Sequence, residues 1–167
     1  MKKKDIDILD KTLVEKFLDK NNILYKQFKF PTSFNGKTHN LIVNHLNISE
    51  NIIFKTLALQ GNKSGPLIAV IPLNKHVDTK KLSKISQNKK VSMVPLKELV
   101  KTTGYEHGAN TPIGIHNNHP KYPIFIDKKA QILKQIIVSS GQIGRSIQID
   151  INDLLKITGG KMVDIAI

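Results

Sequence analysis

Apolar positions at the start of the chain repeat with a helical period. Leu9, Leu13, Phe17 and Leu18 recur on one face with Val14 beside them, Lys and Asp fill the other, and Asn21-Asn22 ends the run. Residues 23–28 then read as a short strand and 31–36 as a loop. Thr38 is placed as the N-cap of a second helix whose stripe is Leu41, Ile42, His45 and Leu46. Further on the period shortens. Residues 52–60 and 67–73 are predicted strands joined by a Gly-containing turn at 62–65, which makes a β-hairpin. Asp78 is set to cap a helix carrying Leu82 and Ile85. Residues 91–94 form a short strand, and Pro95 opens a helix with Leu96, Leu99 and Val100. Residues 104–123 show no period and read as a long irregular loop, of the kind that is often functional. Strands follow at 124–126, 136–139 and 146–149. Asn152 caps a last helix through Ile157, Gly159-Gly160 closes it, and 162–165 return as a strand. Strands in runs with helices between them predict an α+β fold. It is a single domain over residues 1–167 with a mixed, largely antiparallel β-sheet flanked by helices.

One residue breaks this pattern. In an extended segment alternate side chains share a face, so Ile53, Lys55, Leu57 and Leu59 point one way and Ile52, Phe54, Thr56 and Ala58 the other. Both rows are apolar, which marks a strand buried on both faces. A lysine inside such a row is costly unless it meets an anion or reaches water. Two glycine-rich segments stand out as well. Glycines in the segment from Gly104 to Gly114 let backbone N–H groups come close to a ligand, and two such groups can stabilise a carbonyl oxygen as it gains negative charge. Residues 138–144, Val-Ser-Ser-Gly-Gln-Ile-Gly, end one strand and turn into the next.

Charge changes the picture more than overall composition does. The net charge is +13, carried almost wholly by lysine, since Arg145 is the sole arginine. Such a field attracts polyanions, nucleic acid first among them. The shortage of arginine argues against bidentate reading of bases and for lysines touching phosphates. The absence of cysteine removes disulfides, a thiolate nucleophile and sulfur-ligated zinc. His107, His116 and His119 have no familiar metal spacing, so no metal and no other cofactor is expected. No Ser-His-Asp order, P-loop or dinucleotide glycine pattern is present. No apolar run is long enough to span a membrane, and Asp5, Asp7 and Asp10 interrupt the only place for a leader. A cytoplasmic protein is expected.

The motifs in order resemble the YbaK family of aminoacyl-tRNA deacylases. A threonine (Thr38) comes first, followed by the strand Phe54-Lys55-Thr56-Leu57. The strand ending Ala69-Val70-Ile71-Pro72 comes next, then Val77-Asp78-Thr79-Lys80-Lys81-Leu82. Thr103-Gly104-Tyr105 through Gly108-Ala109-Asn110-Thr111-Pro112-Ile113-Gly114 resembles the family's "TGY…GG.SP.G" loop. Residues 138–144 resemble "VS.G..G", and the close from Asp153-Leu154-Leu155 to Thr158-Gly159-Gly160-Lys161-Met162-Val163-Asp164-Ile165 resembles "DLL..TGA.VADI". The chain departs from the family at Gly108-Ala109 (usually Gly-Gly), at Thr111-Pro112 (usually Ser-Pro) and at Ser146, where an acidic residue is common.

The resemblance implies the YbaK/prolyl-tRNA synthetase-associated fold and a free-standing editing enzyme that cleaves the ester of mischarged aminoacyl-tRNA. It implies Lys55, Gly108 and Gly114 as catalytic positions. Phe30, Thr38, Thr56, Asn110, Thr111, Pro112, Ser139 and Gly141 are implied as substrate-binding positions. The closing motif is most similar to members that clear Cys-tRNA(Pro), in which the substrate's own thiol attacks the ester. Aminoacyl-tRNA is the implied partner, with prolyl-tRNA synthetase in a transient complex. Two alternatives stay open at this point. One is a deacylase for Ala-tRNA(Pro) or another small amino acid. The other is a non-catalytic tRNA-binding regulatory module of the same fold.

Overall fold

The computed structural model describes residues 9–42 and 49–167. The N-terminal helix α1 (Leu13–Lys20) begins at a capping box: Thr12 Oγ1 accepts from the Glu15 N–H, and the Thr12 N–H donates to Glu15 Oε1 at 2.9 Å. It buries Val14 and Leu18. Strand β1 (Tyr25–Lys29) follows, as expected. The next segment departs from expectation. Residues 31–36 are not a plain loop, and Thr38 is not a helix N-cap. β2 (Thr32–Phe34) and β3 (His39–Leu41) form a small antiparallel hairpin. Asn35 drives the turn, its Oδ1 accepting from the N–H groups of Lys37 and Thr38 at 2.9 and 2.8 Å, with Gly36 at φ +94°. Leu41 therefore lies on a strand; His45 and Leu46 lie outside the described residues.

The long hairpin holds as predicted. β4 (Phe54–Gly61) pairs antiparallel with β5 (Gly65–Pro72) through eight residue pairs, with Lys55 opposite Ile71. Helix α2 (Thr79–Ile85) starts at Asp78, whose carboxylate accepts from the N–H groups of Lys80 and Lys81. It buries Leu82 and leaves Ile85 exposed. β6 (Val91–Met93) pairs with the far end of β4. A 3-10 turn at Leu96–Glu98 leads into α3 (Leu99–Thr103), so Pro95 opens a turn before the helix. The supposed loop 104–123 contains a helix, α4 (Pro112–Asn118), with Thr111 as N-cap and Pro112 at its first turn. β7 (Ile124–Asp127), α5 (Lys129–Leu133), β8 (Gln135–Ser139) and β9 (Arg145–Asp150) follow. The last helix, α6 (Ile151–Thr158), is capped by Asp150, not Asn152: the Asp150 carboxylate accepts from the Asn152 N–H at 2.8 Å. Gly159 ends it in the left-handed region, and β10 (Lys161–Val163) returns to the sheet.

The strands make a five-stranded sheet in the order β10-β7-β5-β4-β6, a three-stranded sheet β1-β9-β8, and the β2-β3 hairpin. The β5–β7 and β7–β10 pairs are parallel and the rest antiparallel, so the fold is the expected mixed, largely antiparallel α+β arrangement. One face of the large sheet buries Phe54, Ala58, Ile68, Val70 and Ile126 against the smaller sheet and helices α1, α4 and α6. The other face buries Leu59, Leu67, Ala69, Ile71 and Phe125 under Leu82 and Ile165. The two sheets meet where Ile53, just before β4, bridges Ile137 of β8, beside Phe30.

A buried ion pair ties the N-terminal helix to this junction. Glu15 is fully buried; both its oxygens accept from Arg145 Nη2, at 3.0 and 2.9 Å, and Gln27 Nε2 donates to Oε1. Arg145 Nη1 donates to the Asp10 carbonyl at 2.7 Å. Removing one partner of such a pair strands a buried charge, at a cost of about 3–5 kcal/mol. Glu15→Ala should therefore lower the urea-unfolding free energy by that order, and Glu15→Leu combined with Arg145→Met should recover most of it. A Glu15→Ala loss within about 1 kcal/mol, the range of exposed pairs, would show that the pair carries no such weight.

Candidate active site

A cavity of about 480 Å³ opens at the seam between the sheets, within the size range of small-molecule sites. Its floor is the first part of β4, from Phe54 to Ala58. Thr38 to Leu41 of the β2–β3 hairpin close one side. His107, Gly108 and Asn110 close another, and Ser139 of β8 with Ser146 of β9 form the back. Ser139 and Ser146 stand opposite one another in the β8–β9 ladder, so the pairing register alone puts both there.

Lys55 is half-buried in this wall, and among the described residues no carboxylate lies within ion-pairing distance of it. Burial lowers the pKa of its ammonium below the ordinary 10.5. Around it, three buried polar atoms lack any partner: Thr56 Oγ1, His39 Nδ1 and His107 Nδ1. Orphaned buried polar atoms are rare, and three of the six found among the described residues border this one cavity, where a ligand or water can complete their hydrogen bonding. Asn110 is held from behind, its Oδ1 accepting from the Thr103 hydroxyl at 2.8 Å, which leaves the Nδ2 hydrogens as its donors. Gly108 has φ +92° and lies so close to β3 that a Cβ there would come within 3.0 Å of the His39 carbonyl oxygen. A side chain at 108 would be strained at this φ and would make the hairpin give way by a few tenths of an ångström.

Of the residues expected at the site, Lys55, Gly108, Thr38, Thr56, Asn110 and Ser139 line the cavity; Gly114, Phe30, Thr111, Pro112 and Gly141 do not. The second group works from behind. Thr111 and Pro112 start α4, and the Gly114 N–H donates to Thr111 Oγ1 at 3.3 Å, so it is aimed at a helix cap and not at a ligand. A Cβ at Gly114 would strike the Tyr105 hydroxyl, and one at Gly141 would come within 3.2 Å of the Tyr105 ring. These two glycines thus seat one tyrosine, which locks the loop 104–111 against the β8–β9 turn. Phe30 is buried, and its N–H donates to the Gly144 carbonyl at 2.7 Å, bracing the same turn.

His39, His107 and Ser146 also line the cavity; Ser146 stands where the family commonly has an acidic residue, and residue spacing alone placed neither histidine there. His39 was assigned to a helix. His107 carried a usable signal, a titratable ring inside the glycine loop next to Gly108. Among the described residues no three or more His, Cys, Asp or Glu side chains gather as metal ligands, and no helix is long and apolar enough to cross a membrane.

Among the described residues the cavity combines a lysine without a counter-ion with several hydrogen-bonding atoms that lack partners, which suits a small polar or anionic group. Residues 35–157 match the aminoacyl-tRNA editing domain, and the chain belongs to that family. It is 38% identical over 155 residues, 93% of each chain, to "Putative Cys-tRNA(Pro)/Cys-tRNA(Cys) deacylase EbsC" of Enterococcus faecalis. Its fold is shared with the crystal structure of hypothetical protein APE2540 (TM-score 0.76, 21% identity, 92% of this chain and 99% of that one). It is shared also with "a putative trans-editing enzyme for prolyl tRNA synthetase" (TM-score 0.70, 19% identity, 84% and 85%).

His107 gives a pH test of this geometry. Burial first, and then the Lys55 charge, lower its pKa below the ordinary 6.5. The unfolded chain therefore takes up this proton before the folded one does, and stability must fall as pH drops below about 6.5 until the folded ring also titrates. In urea unfolding between pH 7.5 and 5, His107→Asn should flatten this part of the curve relative to wild type. Parallel curves would show that His107 is neither buried nor close to Lys55 in solution.

Proposed function

We propose that the chain is a trans-acting deacylase whose preferred substrate is Cys-tRNA(Pro), and that one domain over residues 1–167 carries the activity. The observation that carries this reading is Lys55, a half-buried ammonium with no counter-ion among the described residues, on the wall of a cavity among unpartnered polar atoms. A cation so placed awaits an anion or a developing negative charge, and its desolvation makes the interaction stronger than in water. The ester of the terminal ribose fits that role. The Lys55 ammonium sits by the ester oxygens, with the Gly108 N–H and the Asn110 Nδ2 hydrogens as further donors to the carbonyl. Thr38, Thr56 and Ser139 meet the amino acid and ribose. Phe30, Thr111, Pro112, Gly114 and Gly141 hold these groups in place from outside the cavity.

The chain has no cysteine, and among the described residues no hydroxyl lining the cavity is hydrogen-bonded to a histidine, the pairing that activates a resident nucleophile. The nucleophile then comes from the substrate. The imidazole of His107, kept neutral by burial and by Lys55, takes the proton of the cysteinyl thiol. The thiolate forms a bond to the ester carbonyl carbon, and the bond from that carbon to the ribose oxygen breaks. The released oxygen takes the proton back from His107. The products are free tRNA and a four-membered thiolactone, which water opens to cysteine. Cys-tRNA(Pro) is made by prolyl-tRNA synthetase, so a transient complex with that synthetase is the economical place to meet it. The name of the relative from Enterococcus faecalis supports cysteine over alanine as the amino acid removed.

Two experiments test this reading. Lys55→Ala should lower the rate of amino acid release from Cys-tRNA(Pro) by a factor of about 100 or more, the usual loss of a positioned charge-stabilising group, with an unchanged melting temperature. Wild-type turnover in this variant would remove Lys55 from the site. The second compares Cys-, Ser- and Ala-esters on one tRNA body. A thiol ionises far more readily than a hydroxyl, so Cys should be released much faster than Ser, and Ala should not react by this route. Equal rates for Cys and Ala would reject the thiol mechanism and indicate attack by water, where fit alone gives modest ratios.

A further inference from the structure

The cavity mouth gathers apolar surface that the amino acid and ester do not use. Among the described residues nine large hydrophobic side chains are exposed, and four of them, Phe34, Met93, Leu96 and Val100, surround this one opening. Clustering of this kind on a small protein marks a contact surface. The patch is also concave. A second hollow of about 340 Å³ lies beside the cavity, and His39, His107, Leu96 and Leu99 border both. On its outer side stand Phe34, Val100, Lys37 and Glu106. Phe34 is 60% exposed; its ring leans on that of His39, with centroids 4.6 Å apart and planes at 31°. The β2–β3 hairpin thus holds an aromatic ring up at the edge of the hollow, braced by the same histidine that walls the cavity.

The chemistry of the hollow narrows its occupant. An exposed aromatic ring with aliphatic neighbours suits a flat ring that stacks. One ammonium and one carboxylate at the rim suit a ligand that is anionic at one end and carries an amino donor at another. An adenylate has each of these: a flat base, an exocyclic amino group that a carboxylate such as Glu106 can accept from, and a 5′ phosphate for Lys37. Every aminoacyl-tRNA presents such a nucleotide, one ribose away from its ester. We propose that this hollow seats the terminal adenine of aminoacyl-tRNA against Phe34, with the ribose passing over the His39–His107 wall and the ester reaching Lys55. The placement of the ester rests on the function proposed above; the seat for the base rests on the hollow itself. It also gives a short hairpin of two three-residue strands a task, to carry the base platform.

The test has one arm that needs no catalysis. Adenosine 5′-monophosphate is titrated into the whole protein while the imidazole proton signals of His39 and His107 are followed. Saturable shifts are expected. Affinity should fall at least about fivefold in Phe34→Ala, the loss that one base–aromatic stack accounts for, and return in Phe34→Tyr. Ribose 5-phosphate, which lacks the base, should shift these signals far more weakly; equal binding of the two would overturn the seat. In the catalytic arm, Phe34→Ala should raise KM for Cys-tRNA(Pro) by a similar factor and leave kcat within about twofold. If no charged tRNA is deacylated but the monophosphate still binds in a Phe34-dependent way, the deacylase reading falls and the base seat stands. Unchanged nucleotide binding in Phe34→Ala overturns the seat, whatever the deacylation result. So does a sedimentation profile in which the wild type self-associates and Phe34→Ala does not, because the mouth is then a contact between copies of the chain.

Discussion

The β4–β5 ladder sets the terms for everything around it. Eight consecutive pairs, from Phe54 opposite Pro72 to Gly61 opposite Gly65, fix which side chains of β4 face which core. Phe54 and Ala58 enter the core shared with the smaller sheet, while Leu57 and Leu59 join the one under helix α2. A slip of one residue would exchange the two sets and put Lys55 among buried side chains on the wrong face. The apolar surface committed on both sides, at about 25 cal/mol per Å² buried, makes such a slip prohibitive. The site uses this rigidity where the ladder begins. There Ile53 bridges to Ile137 of β8, the sheets diverge, and the neighbouring residues Lys55 and Thr56 both border one cavity.

The chain treats its few buried charges in two opposite ways. Arg145 is 8% exposed and its Nη groups are paired with Glu15 and the Asp10 carbonyl; it fastens helix α1 to the start of β9, next to Ser146 and its ladder partner Ser139. Lys55 is desolvated without such a counter-ion among the described residues, and its charge adds to the effect of burial in lowering the pKa of His107. A folded protein gains nothing in stability from a half-buried ammonium without a counter-ion, and the proposed function accounts for the position by an anion or developing negative charge that meets it. The exposed pairs Lys11–Asp19 and Lys81–Asp164 are worth little by comparison and leave most of the +13 charge open to a polyanion.

How much of this was legible in the sequence depended on how local the cause was. The long hairpin, the Asp78 cap and the strands β7, β8 and β9 have their signals within a few residues, and they form where the pattern put them. Lys55 was legible because a charge interrupted two otherwise apolar rows. Failures came where a short signal was outvoted. Asn35-Gly36 is a strong turn signal, but the strands on either side have only three residues each, too few to show alternation. Thr111-Pro112 is a sound helix start, yet the helix after it holds only two buried isoleucines and ends in His and Asn, so it passed for loop. The Glu15–Arg145 pair spans 130 residues and leaves no local trace. Glycine spacing showed that backbone must come close to something near 108–114 and 141. It could not distinguish a ligand from the ring of Tyr105.

That last ambiguity bears on how the site achieves order without a nucleophile of its own. Enzymes with a resident nucleophile fix it through a base and an orienting partner. In the proposed reaction the substrate brings the nucleophile, so the protein's contribution is one proton-carrying imidazole and the shape and electrostatics of the cavity around it. Such a cavity must be held to within a fraction of an ångström if cysteine is to be favoured over similar side chains. The glycines at 114 and 141 serve that need. By admitting Tyr105 between α4 and the β8–β9 turn, they join the loop bearing His107, Gly108 and Asn110 to the strands bearing Ser139 and Ser146. Gly108 then brings the same loop against His39 of the hairpin. Three sides of the cavity are thereby locked to one another through contacts that only glycine permits, while the fourth side, β4, is fixed by its ladder. Gly114 and Gly141 thus act through the walls of the site, and in the proposed reaction the chemistry falls to Lys55, His107, the donors of the 108–110 loop and the substrate.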